Sequence, residues 1–174
     1  IAGAIIIIGG LLDDKKRLIW WKQMIFPVIA VLVLLAGGLE IAFVTNPIGE
    51  GLLYLNKWNI TLFSSERMTL TFTPIADVFL FLWIIGMMYT TKLLDGVDGL
   101  TTSIGSIAAM VIFVVSMSWD QTGSVTSFLA ISLAGAGVGF LFWNWHPAKI
   151  FLGEGGSLFF GFILAVLAVI SGGK

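Results

Sequence analysis

The chain has 174 residues, 58% of them hydrophobic and 11% charged, with a mean hydropathy of +1.04 and a formal net charge of −1. Soluble domains carry about 25% charged residues, and this composition would leave large apolar patches on one; a soluble domain, a disordered chain, a secreted disulfide scaffold and a nucleic-acid-binding module are excluded, and a membrane-embedded protein is expected. Cysteine is absent, which removes thiolate metal sites, thiol nucleophiles and disulfides.

Apolar runs of about 20 residues mark membrane helices. In chain order they fall at 1–12, 23–44, 75–94, 100–118, 125–143 and 157–171, so six transmembrane segments are expected, the first and last short of a full crossing. The chain opens inside one apolar run at Ile1 and closes just after another, so it reads as a fragment of a longer membrane protein, with no signal peptide in view. Residues 45–73 differ in composition: Asn46-Pro47, Gly49 and Gly51 are turn signals, and Thr69-Leu70-Thr71-Phe72-Thr73 alternates with period two. This region is expected to form an extramembrane β-hairpin turning near Ser64-Ser65-Glu66-Arg67. Thr73-Pro74 then restarts a helix, with threonine as N-cap and proline at the first helical position.

Alternating crossings put loops 13–22, 92–99 and 144–156 on one side. That side holds Lys15, Lys16, Arg17, Lys22, Lys92 and Lys149, and the other only Lys57 and Arg67, so the positive-inside rule makes the first side cytoplasmic. Of ten acids, Asp13, Asp14, Asp95, Asp98 and Glu154 fall in the same three loops. Acids at a membrane boundary are costly unless solvated, paired or bound to a cation, and three acidic loops on one face suggest a shared cation, although each alone also reads as solvated charge or helix capping. Asp95-Gly96-Val97-Asp98-Gly99-Leu100 places two oxygen donors in a tight turn, which suits Mg²⁺, an ion that keeps waters and shares substrate phosphates; the EF-hand spacing is absent. Phe151-Leu152-Gly153-Glu154-Gly155-Gly156-Ser157 is a glycine-rich helix start without Walker spacing, a type of terminus that favours phosphate, with Lys149 nearby. The adjacent Asp13 and Asp14 raise each other's cost of ionisation, which makes one of them a candidate proton acceptor. His146, the only histidine, reads as a loop or headgroup contact, and Trp20, Trp21, Trp143 and Trp145 read as interfacial anchors.

Taken together, Gly10-Leu11-Leu12-Asp13-Asp14, Leu94-Asp95-Gly96-Val97-Asp98-Gly99-Leu100 and the run from Asn144-Trp145-His146-Pro147-Ala148-Lys149 to Gly153-Glu154-Gly155-Gly156-Ser157 resemble the three cytoplasmic signatures of the polyprenyl-phosphate N-acetylhexosamine-1-phosphate transferases, glycosyltransferase family 4. The third signature is most similar to that of the phospho-N-acetylmuramoyl-pentapeptide transferase branch, with the N-acetylglucosamine branch as the alternative. The resemblance implies an all-α polytopic membrane protein, about six helices of a ten-helix fold, in the bacterial cytoplasmic membrane with its active site facing the cytoplasm. It implies a Mg²⁺-dependent enzyme that transfers a phospho-amino sugar from a UDP-N-acetylhexosamine to polyprenyl phosphate and releases UMP, with a homodimer as the candidate assembly. Residue by residue, it implies Asp13, Asp14, Asp95 and Asp98 as catalytic acids, Asn144, Lys22, Lys92 and Lys149 as substrate contacts, and Glu154 with Asp95 at the metal. Two positions depart from the pattern: the family usually has aspartate where Glu154 stands and commonly asparagine where Lys92 stands. The chain is also expected to be inactive without the helices that the family has on either side.

The rival from another class is an ion-coupled transporter, which would place acids mid-helix near the bilayer midplane. A non-catalytic membrane scaffold is the third reading.

Overall fold

The computed structural model describes residues 1–16, 18–41, 43–45, 51–54, 60–65, 68–119 and 124–172. The elements are α1 (Ala2–Lys16), α2 (Trp20–Gln23), α3 (Ile25–Ala36), β1 (Phe43–Thr45), β2 (Leu52–Tyr54), β3 (Ile60–Ser65), β4 (Met68–Phe72), α4 (Pro74–Leu94), α5 (Leu100–Trp119), α6 (Val125–Asn144) and α7 (Gly153–Gly172). Among the described residues, four helices are long and apolar enough to cross a membrane: Pro74–Leu94, Leu100–Ser118, Val125–Asn144 and Gly153–Gly172. The fold is therefore that of a helical, multi-pass membrane protein.

The expected segments at 75–94, 100–118 and 125–143 coincide with α4, α5 and α6. Three others need correction. The run at 1–12 continues as helix to Lys16, so Asp13 and Asp14 sit in the last turns of α1 and not in a loop. The run at 23–44 is broken: α3 ends at Ala36, because Gly37-Gly38 closes it with Gly38 in the left-handed region at φ 85°, the usual way glycine stops a helix. The run at 157–171 begins four residues earlier, at Gly153, which brings Glu154 into the first turn of α7 and makes that helix full length.

Between α3 and α4 the chain forms two antiparallel ladders, β3 with β4, which pairs Ser65 with Met68 across the position of the expected hairpin turn, and β1 with β2, which the sequence did not suggest. The expected turn falls partly on residues 66 and 67, outside the described residues. At the start of α4 the structure keeps Pro74 at the first helical position but alters the cap. The Thr73 hydroxyl makes no capping bond; instead Asp77 Oδ2 reaches back to accept from the Thr73 N–H at 3.0 Å.

Helix α7 is the centre of the bundle, packing against α1, α4, α5 and α6. Of its membrane-length window 56% is buried, against 28–33% for the other three long helices. Small residues allow this: a Cβ added at Gly10 of α1 would collide with the backbone of Gly155 in α7, so the two helices touch main chain to main chain. Around that crossing, Ile6, Val31, Ile84, Met88, Leu158 and Phe162 interlock as one buried cluster. In a lipid solvent such close small-residue packing substitutes for the hydrophobic drive between helices. Replacing Gly10 by valine should therefore destabilise the protein by about 2 kcal/mol or more through overpacking, seen as a lowered melting temperature in detergent, whereas Gly86→Ala, where an added Cβ meets nothing within 4 Å, should leave it nearly unchanged.

Candidate active site

The C-terminal ends of α1, α4 and α6 and the N-terminal ends of α5 and α7 meet at one end of the bundle. This gathering follows from bonds between them: Glu154 N–H to Asp14 Oδ1 at 3.4 Å, Lys92 Nζ to Glu154 Oε2 at 2.7 Å, and Gly99 N–H to Asn144 Oδ1 at 3.1 Å. The chain segments far apart in sequence thus place Asp13, Asp14, Lys92, Asp95 and Glu154 around the first turn of α7.

Asp13 is buried, at 7% exposure, and its Oδ1 accepts from the Leu18 N–H at 2.7 Å and from Gln23 Nε2 at 3.2 Å. Gln23 in turn offers Oε1 to Lys92 Nζ at 3.2 Å, so a polar chain runs Asp13, Gln23, Lys92, Glu154 across α1, α2, α4 and α7. Asp13, Gln23 and Glu154 also line a common cavity of about 10 Å³ with Gly10 and Pro27, on the order of one water molecule. The Tyr89 hydroxyl, whose ring lies 5.6 Å from Lys92 Nζ, is buried without a hydrogen-bond partner among the described residues.

Gly153 adopts φ 69°, a conformation that glycine tolerates without strain, and its N–H donates to the Asp95 carboxylate. The next N–H, that of Glu154, faces Asp14. Two of the helix-start N–H groups expected to face phosphate are thereby taken by the protein's own acids. Carboxylates at a helix N-terminus are favoured by the same dipole that would attract phosphate, and these contacts hold Asp14 and Asp95 at the start of α7.

Burial pushes the Asp95 carboxyl up to about 6, the neighbouring Glu154 charge adding to the rise and the Gly153 N–H opposing it. Asp98 is the contrasting case. Its Oδ2 accepts from the Ala148 N–H at 3.2 Å and stands 2.9 Å from His146 Nδ1, and these contacts hold it below the usual carboxylate range. Asp98 therefore anchors the α6–α7 connection to the start of α5.

Asn144 is 2% exposed, and most of its amide is engaged inside the protein. Its Oδ1 accepts from the Gly99 N–H and from Thr102 Oγ1, both at 3.1 Å, and its Nδ2 donates to the Ile150 carbonyl at 2.9 Å. Lys22 and Lys149 make their described contacts with tryptophans, 5.2 Å from the Trp21 ring and 5.5 Å from the Trp143 ring. Lys22 also lines, with Leu12, Lys16, Leu18, Ile25 and Phe26, a largely apolar groove of about 380 Å³.

Gln23 and the His146 contact to Asp98 escaped the sequence reading. Nothing local marks Gln23, which follows two tryptophans and a lysine; its part in the network exists only because α2 folds back under α1.

Among the described residues no three acidic, cysteine or histidine side chains are gathered to hold a metal ion. A Mg²⁺ ion that keeps its waters and shares substrate phosphates needs only one or two protein carboxylates. Asp95 and Glu154 fit that demand, because a half-buried acid raised by a neighbouring acid is one whose charge a cation would stabilise.

The sequence model of the family described as glycosyl transferase family 4 matches residues 1–172. The chain belongs to glycosyl transferase family 4. Among its relatives, the chain is 40% identical over 91 residues to a probable undecaprenyl-phosphate N-acetylglucosaminyl 1-phosphate transferase of Bacillus subtilis, a match covering 51% of this chain and 24% of that protein. It is 37% identical over 93 residues to a phospho-N-acetylmuramoyl-pentapeptide-transferase of Levilactobacillus brevis, covering 53% and 28%. A protein of the same name from Heliobacterium modesticaldum is 38% identical over 90 residues, covering 52% and 27%. The matched stretch thus spans about a quarter of each relative's length.

Because the Asp95 carboxyl is raised from 3.8 to about 6, the folded state holds that proton more tightly than the unfolded one, so its contribution to stability is full at low pH and falls as pH rises between those two values. Thermal unfolding in detergent should show this fall in the parent and lose it in Asp95→Asn. Asn144→Ala should cost about 2 kcal/mol by stranding the Gly99 N–H and the Ile150 carbonyl, and Asn144→Asp should not rescue it, since a carboxylate oxygen would then face that carbonyl; melting curves of both variants test this.

Proposed function

We propose that the protein carrying this chain joins a UDP-N-acetylhexosamine to polyprenyl phosphate, releasing UMP, with phospho-N-acetylmuramoyl-pentapeptide as the transferred group. The observation that carries this reading is the convergence of Asp14, Asp95 and Glu154 on the first turn of α7, at one end of a membrane bundle. One substrate is water-soluble and the other lipid-anchored, so chemistry at the bilayer edge is required, and acids at helix ends support it over a transporter with acids at mid-membrane. The excess of lysine and arginine in the loops at this end supports a site facing the cytoplasm of a bacterial inner membrane.

In this reading an oxygen of the lipid phosphate attacks the β-phosphorus of the UDP-sugar in line, and UMP leaves. The groove beside Lys16 and Lys22 suits the lipid phosphate, its apolar walls taking the first prenyl units and its ammonium groups the anionic head. Asp95 and Glu154 would hold Mg²⁺, which when bound supplies charge neutralisation to the diphosphate. Asp14 is fixed against the Glu154 N–H, at the start of the helix that carries Glu154. Asp13 is tied by Leu18 and Gln23, so its first effect is to hold the end of α1 in place. Asn144 and Asp98 orient the α6–α7 connection that carries Lys149. A lipid phosphate near neutrality already carries an anionic oxygen, so the acids need to position and balance charge more than to remove a proton.

A second reading, transfer of N-acetylglucosamine 1-phosphate, is favoured by the relative at 40% identity. Incubating the full-length protein with polyprenyl phosphate and each UDP-sugar in turn, and measuring UMP, separates the two. Asp95→Asn and Glu154→Gln should each lower UMP release by about a hundredfold or more, the scale at which electrostatic stabilisation of phosphoryl transfer operates; full activity in both variants would sink the proposal.

A further inference from the structure

The acid proposed to hold the metal already holds a cation. Lys92 Nζ lies 2.7 Å from Glu154 Oε2, and the two side chains are only 23% and 24% exposed. A pair that far out of water is held more firmly than a surface ion pair, because water and salt screen it less. The ammonium is held in place from other directions as well, by Gln23 Oε1 at 3.2 Å and by the face of Tyr89. Glu154 is also the residue whose charge reaches Asp95, so whatever cation sits on Glu154 acts on both carboxylates of the proposed metal pair.

We propose that Lys92 is an internal cation that competes with a divalent metal ion for Glu154, so that the Lys92–Glu154 ion pair and metal binding exclude one another. The physical reason is repulsion: an ammonium at hydrogen-bond distance from one carboxylate oxygen and a dication on the same carboxylate would stand within a few ångströms of each other in a poorly hydrated corner, where charges interact strongly. A metal ion arriving at Glu154 therefore has to displace Lys92. The displaced ammonium would also let go of Gln23, the link through which Lys92 reaches Asp13. Metal binding is thereby coupled to the end of α1.

This inference rests on the assignment of Glu154 to the metal under the proposed function, and the test separates the two. Mn²⁺ is titrated into the full-length protein in detergent, without substrates, and free Mn²⁺ is followed by its electron paramagnetic resonance signal. Lys92→Gln should bind Mn²⁺ about tenfold more tightly than the parent, on the scale expected for removing one charge beside the site, and Lys92→Arg should stay close to the parent. Adding Glu154→Gln to Lys92→Gln should abolish the gain. If Glu154→Gln weakens Mn²⁺ binding but Lys92→Gln leaves it unchanged or weaker, Glu154 is a ligand and the competition is overturned. If Glu154→Gln changes nothing in either background, the metal assignment itself fails and the competition with it. Lys92→Met, which keeps the apolar stem against Tyr89, replaces Lys92→Gln if the latter proves unfolded by circular dichroism, and the same outcomes decide.

Discussion

The direct contact between Gly10 and Gly155 is the constraint from which the site is built. With main chain against main chain, α1 and α7 cross where neither has a side chain to hold them apart. The crossing lies one turn before Asp13 and Asp14 and directly beside Glu154, so the last turn of α1 meets the first turn of α7. A side chain at Gly10 would separate the two carboxylates of α1 from Glu154, whereas a Cβ at Gly155 would meet Gly10 only at ordinary contact distance, 3.4 Å. Helix packing and the assembly of the acidic cluster are thus one event, and in lipid, where burying leucine against leucine gains little, small-residue contact of this kind is what sets the distance.

A bundle end that gathers acids in this way has an electrostatic cost, and the structure distributes it in three ways. Asp13 and Asp14 are met by hydrogen-bond donors, the Leu18 N–H, Gln23 and the Glu154 N–H. Asp98 is kept ionised by the Ala148 N–H and His146. Glu154 is met by Lys92, while Asp95, with burial and Glu154 against it and only the Gly153 N–H for it, is the acid pushed toward neutrality. Asp95 is thereby the acid, out of the five, whose charge state a cation bound beside it would change most. Asn144 contributes from beneath, tying the start of α5 to the α6–α7 connection, so that the loop bearing Lys149 and the turn bearing Asp95 and Asp98 are held at fixed separation.

Much of this was legible in the chain. Apolar run length marks α4, α5 and α6 to within a residue or two, because the thickness of a bilayer imposes that length on any helix crossing it. The acids at 13, 14, 95, 98 and 154 were readable as a group because charge is rare in such a sequence and these fell at run ends. Helix ends were less legible. Asp13 and Glu154 lie in helices and not in loops, since a polar residue at a bundle end can remain helical when neighbouring helices supply its partners. The run at 23–44 looked continuous in hydropathy, yet Gly37-Gly38 ends it, as backbone geometry overrides apolar content.

By itself, then, the sequence determined a polytopic helical membrane protein with acids grouped near the ends of its apolar runs, because solvent and bilayer thickness act on each segment independently of the others. Only the tertiary structure decided which of those acids face which partners. That Lys92 belongs to Glu154, that Gln23 joins Lys92 to Asp13, and that Asn144 turns inward to hold two loops follow from residues 62, 69 and 45 positions apart being brought to hydrogen-bond distance. Such pairings depend on helix crossings set by small residues, and no local pattern of charge or hydropathy records them.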